Sequence, residues 1–72
     1  MKIVRLTMKH KAGSWIQKDI RVESELNGQE LVDDVMFTWL NNYINRDGQV
    51  RNCLSLADAK KTSKLIITGE II

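Results

Sequence analysis

Apolar and polar side chains alternate from the first residues of the chain. Val4, Leu6 and Met8 fall on one side, and Arg5, Thr7 and Lys9 on the other. A period of two predicts a half-buried strand over residues 2–10. Lys11-Ala12-Gly13-Ser14 then reads as a turn, with Gly13 free to adopt a positive φ. Alternation resumes over residues 15–22. Ile16, Ile20 and Val22 share one face, and Gln17, Asp19 and Arg21 the other. Lys18 interrupts the apolar face, as inward-pointing lysines do near sheet edges, where they discourage pairing. So short a connection predicts an antiparallel hairpin.

The pattern then changes period. Leu31-Val32, Val35-Met36, Trp39-Leu40 and Tyr43-Ile44 recur every four residues. That spacing predicts a long amphipathic helix from about Gly28 to Arg46. Asn27 and Glu30 have the spacing of a capping box. Glu30, Asp33 and Asp34 stand in the first turns, where the helix dipole favours carboxylates. Gly48 sits where a left-handed cap is expected. Pairs every four residues drift around a helix of 3.6 residues per turn, so the apolar arc is wide. Phe37 lies outside its main stripe. The overflow calls for a second cover, either the following segment or another subunit.

Residues 49–54 offer a short optional strand through Val50 and Leu54. Ser55 and Asp58 have capping spacing ahead of a short helix over about 56–62. Residues 64–72 read as a strand with Leu65, Ile67 and Ile71 on one face, and Gly69 marks a candidate bulge. The order is β-β-α-(β)-α-β. It predicts an α+β fold: an N-terminal β-hairpin and one long amphipathic helix packed on a small antiparallel or mixed sheet. No repeat or linker divides residues 1–72, so one small globular domain is expected.

Composition narrows the chemistry. The chain has 72 residues, of which 43% are hydrophobic and 28% charged, in the range of a globular domain. No apolar run approaches the ~20 residues of a spanning helix, and no membrane partner is expected. Cys53 is the only cysteine, which excludes an internal disulfide and fits a reducing, cytoplasmic setting. A chain this small needs an efficient core or oligomerisation, so a homodimer is in view. Cys53 and His10 are the only soft ligands, too few for a zinc site, and no cofactor motif is present. Asp33 and Asp34 are adjacent and point about 100° apart on a helix, which suits neither a metal nor an acid/base pair. No glycine-rich phosphate loop occurs. A catalytic role is therefore not expected.

Two binding surfaces remain. The first is on the long helix, where Trp39 and Tyr43 are i, i+4 neighbours. They read first as core. With Phe37 they become anchors for a protein partner, with Glu30, Asp33 and Asp34 as a polar rim. The second is on the hairpin. Net charge is only +2, but Lys2, Arg5, Lys9, Lys11, Lys18 and Arg21 cluster before residue 22 against a lone Asp19. Arg5, Lys9, Gln17 and Arg21 should project from one sheet face. Arg5, Lys9, Lys11, Lys18 and Arg21 would meet phosphates while Trp15 stacks on a base. The leading expectation is a non-catalytic interaction protein that binds and modulates a protein partner. The alternative is a small nucleic-acid-binding protein that uses the basic hairpin.

Overall fold

The computed structural model describes residues 1–10, 12–46 and 53–72. The alternating segments form β1 (Lys2–Lys9) and β2 (Trp15–Val22). They pair antiparallel from Lys9 opposite Trp15 to Lys2 opposite Val22. The connection is closed by His10 N–H to the Ser14 carbonyl at 2.9 Å and Gly13 N–H to the His10 carbonyl at 3.0 Å. Gly13 takes the expected positive φ, at 97°.

β3 (Ile66–Ile71) pairs with the other edge of β1, also antiparallel. Among the described residues the sheet therefore has the order β2-β1-β3, with the first strand in the centre. Its inner face carries Val4, Leu6 and Met8 from β1. The same register puts Ile16, Lys18, Ile20 and Val22 of β2, and Ile67, Gly69 and Ile71 of β3, on that face. Gly69 is not at a bulge. It stands in unbroken register opposite Leu6, between Thr68 opposite Thr7 and Glu70 opposite Arg5. The reason for a glycine there is packing. A Cβ would lie 2.8 Å from Val32 Cγ1 and 3.0 Å from Leu6 Cδ2.

The four-residue repeat becomes α1 (Gly28–Arg46), which buries Leu31, Val32, Val35, Met36, Leu40 and Ile44. It packs on β1 and β3. Its start differs from the capping-box expectation. Asn27 Oδ1 accepts from Lys2 Nζ at 2.8 Å, and Asn27 Nδ2 donates to the Glu25 carbonyl at 3.2 Å. Lys2 Nζ also donates to the Ser24 and Leu26 carbonyls, at 2.9 and 2.6 Å. One ammonium thus uses three donors on one loop, and the loop takes the Asn27 side chain away from the helix. Gly28 enters α1 at φ 60°, a conformation that favours glycine.

α2 (Leu56–Ser63) begins as its spacing predicts. Ser55 is extended, and its Oγ accepts from Asp58 N–H at 3.2 Å. Lys64 ends the helix in the left-handed region at φ 58°. α2 packs along α1 and so supplies cover for part of the wide apolar arc. Ala59 and Cys53 are buried in the same core. The optional strand falls mostly outside the described residues, as does Gly48, while Cys53 and Leu54 are not in a strand. Leu6, Leu31, Leu40, Ile44 and Val4 are fully buried. Each such side chain stabilises the fold by about 1.5–3 kcal/mol.

Candidate protein-docking site

Because α1 lies over β1 and β3, the inner face of β2 is only partly covered. Exposure along it grades from half-buried Ile20 and Val22 to exposed Lys18 and Ile16, the latter 52% accessible. Between β2 and α1 a cleft of about 320 Å³ opens. Ile20 and Val22 form one wall, and Leu31, Val35 and Trp39 the apolar part of the other. Asp34, Thr38 and Asn42 edge it along the helix. Glu23 and Ser24 close its end. The Ser24 carbonyl is one of the three acceptors held by Lys2, and Ser24 Oγ accepts from Leu26 N–H at 3.1 Å. The end of the cleft is therefore fastened to the start of β1.

The helix candidates divide around this cleft. Trp39 lines it, and Tyr43 stacks on Trp39 with ring centroids 5.2 Å apart and planes 15° from parallel. Both rings also pack against the core. Asp34 is exposed on the rim. Asp33 accepts from Gln29 Nε2 at 2.7 Å, and Glu30 stands exposed in the first turn. Phe37 packs against the core but is two positions from Trp39, about 200° around the helix. It does not share a surface with the other two aromatics. Ile20, Val22, Thr38 and Asn42 are cleft residues that the sequence does not single out as a site, whereas Glu23 opens the acidic stretch to Asp34 that reads as a docking surface for a basic partner. The alternation of β2 assigns Ile20 and Val22 an inner face, and Lys18 points to a nearby sheet edge, which the strand order bears out; nothing in the sequence marks Thr38 and Asn42.

The outer face of the sheet collects most of the hairpin candidates. In successive rows across β2, β1 and β3 stand Trp15, Lys9 and Ile66; Gln17, Thr7 and Thr68; then Asp19, Arg5 and Glu70. Arg21 follows, opposite Ile3. Trp15 is 63% exposed and Ile66 61%. Lys18 is on the inner face, opposite Leu6, and Lys11 lies outside the described residues. Arg5 is not a free cation. Its Nε and Nη2 donate to the two Asp19 carboxylate oxygens at 2.8 and 3.2 Å. That hydrogen bonding holds the Asp19 carboxyl below its ordinary range and raises the Arg5 guanidinium, with Glu70 adding to the latter. Both side chains are well exposed, so water and salt screen the pair.

Other chemistries find little support in the geometry. Cys53 is buried at 6% exposure, where a thiol packs as a small apolar group. Among the described residues no three His, Cys, Asp or Glu side chains converge as metal ligands. No helix among them is long and apolar enough to cross a membrane. Comparison with family models, curated proteins and solved structures finds no significant match.

Proposed function

We propose that this chain is a non-catalytic interaction module that binds a protein partner through the cleft between β2 and α1. The observation that carries this reading is the cleft itself: apolar walls, an acidic rim at Glu23 and Asp34, and, among the described residues, an open sheet edge along one side. An extended segment laid there would add a strand to β2 by main-chain hydrogen bonds, while its alternate side chains enter the cleft. The rim favours a segment with basic residues among its apolar ones. Binding in this way modulates the partner by occupying that segment.

Selection of peptides from a random library tests this directly. Asp34→Lys/Thr38→Arg serves as counter-target, since both positions are exposed on the helix. Enriched peptides should alternate apolar and basic residues and should shift the Trp39 indole resonance. Enrichment that survives the double substitution, or peptides that shift Trp15 instead, would overturn the reading.

A second reading has one observation in its favour. Trp15, Lys9, Arg5 and Arg21 do share the outer sheet face. A single-stranded nucleic acid would stack on Trp15 and meet the cations. Asp19 and Glu70 on the same face, with Arg5 already paired, weaken it.

A further inference from the structure

We infer that the occupant of the β2 edge is β2 of a second copy of this chain, paired antiparallel about a two-fold axis at Ile20. This rests on the reading of the cleft as a docking site and names its partner. The argument is one of register and charge.

Backbone direction comes first. In an antiparallel ladder, opposed residues alternate between pairs that exchange hydrogen bonds and pairs whose N–H and C=O groups turn away. Counting from the His10–Ser14 bond, Trp15, Gln17, Asp19 and Arg21 turn theirs to the open edge. The Ile72 N–H bond to the Ile3 carbonyl agrees, because Ile3 is opposite Arg21 and turns its groups away from β2. Among the described residues, the outer edge of β2 is therefore a row of unpaired donors and acceptors.

Symmetry then limits the registers. A two-fold axis normal to the sheet keeps both inner faces on one side, so even-numbered residues oppose even and odd oppose odd. With five or more residues of β2 paired, the axis can pass at Gln17, Lys18, Asp19 or Ile20. At Gln17 it would set Asp19 against Trp15 and Lys18 against Ile16, so neither charge would face an opposite one. At Lys18 it would set Lys18 against Lys18, and at Asp19 it would set Asp19 against Asp19. Like charges directly opposed are destabilising. At Ile20 the axis sets isoleucine against isoleucine at the β2 wall of the cleft. Asp19 then opposes Arg21 twice on the outer face. Lys18 opposes Val22 twice on the inner face.

That last pairing accounts for two features at once. Lys18 is an exposed cation on a face otherwise apolar in β2. Val22 lines the cleft together with Glu23 and Asp34. In this register each copy's Lys18 reaches the acidic rim of the other, and Arg21 joins Arg5 on the Asp19 carboxylate, whose oxygens can each accept a second hydrogen bond. The partner's complementarity is thus written in β2 itself. As a bare edge guard, Lys18 would instead oppose association.

Sedimentation of the full chain over a concentration series tests the inference. The expected result is a monomer–dimer equilibrium. Lys18→Glu should weaken it about tenfold, as two symmetry-related pairs are lost, and adding Glu23→Lys and Asp34→Lys should restore it. Arg21→Pro removes an outward N–H at a position where edge strands tolerate proline, and should leave a folded monomer by circular dichroism. Arg21→Asp should do the same without a backbone change. Three results would overturn the inference: a monomer up to about 1 mM, a dimer unaffected by Arg21→Asp, or tighter association on Lys18→Glu. If peptide selection at the cleft still succeeds with a monomeric chain, the docking reading stands and only the identity of the occupant fails.

Discussion

Glycine at position 69 is set by the side chains above it. Val32 Cγ1, Leu6 Cδ2 and Met36 Cε would all lie within 3.3 Å of an added Cβ. Val32 and Leu6 are themselves buried, so neither has open space to retreat into. Gly69→Ala should therefore cost about 1–3 kcal/mol through overpacking, despite the entropy it saves in the unfolded chain. Urea titration measures this, with Gly69→Ser expected to lose at least as much. Sequence alone could mark this glycine as unusual within a strand but could not separate a bulge from a close approach. That choice depends on which helix residue crosses over it. Asn27 was misread for a related reason. Its spacing to Glu30 is local information, whereas the lysine that captures its side chain comes from the far end of the hairpin.

Elements were more legible than contacts. β2 occupies residues 15–22 and α1 residues 28–46, as their periods of two and about four predict. Hydrophobic period is a local property, and these segments are long enough for it to dominate. α2 was legible through its cap. Ser55→Ala removes the bond to Asp58 N–H and should cost about 1 kcal/mol. Lys64→Gly relieves a side chain held at φ 58° and should stabilise by about 1 kcal/mol. The same titration reads both, and opposite signs at the two ends of one short helix are the expected signature. Lys18 signals that β2 lies near an edge, but not what the edge faces. Alternation assigns Ile20 and Val22 an inner face, but only the strand order makes them one wall of an open cleft.

At the scale of the whole molecule the two surfaces compete for one description. The outer sheet face presents Lys9, Arg5 and Arg21 with Asp19 and Glu70 among them. So balanced a face should hold phosphates weakly. Titration of tryptophan fluorescence with single-stranded DNA and RNA at about 50 and about 200 mM salt measures it. The expected outcome is no saturable quenching at either salt. Saturable binding at low salt that falls steeply at the higher salt, and is reduced by Lys9→Glu, would favour the nucleic-acid reading instead. Charge pattern alone keeps the hairpin as the alternative to the helix surface. The ion pair between Arg5 and Asp19 distinguishes them, and it arises from a cross-strand register that counting charges does not contain.

The central position of β1 bears on how the fold is reached. Its first neighbour is the next strand in the chain, but its second arrives only after β2, α1 and α2 have intervened. Hairpin closure is a local event on the microsecond scale. Docking of β3 must wait for loop closure across most of the chain, which is entropically slower. A chain emerging in order would thus hold its best-formed strand with one flank vacant until Ile66–Ile71 appears. That vacancy is a transient template for the wrong strand. The lifetime of the nascent hairpin, more than the stability of the finished sheet, would then set how much of the chain is lost to aggregation.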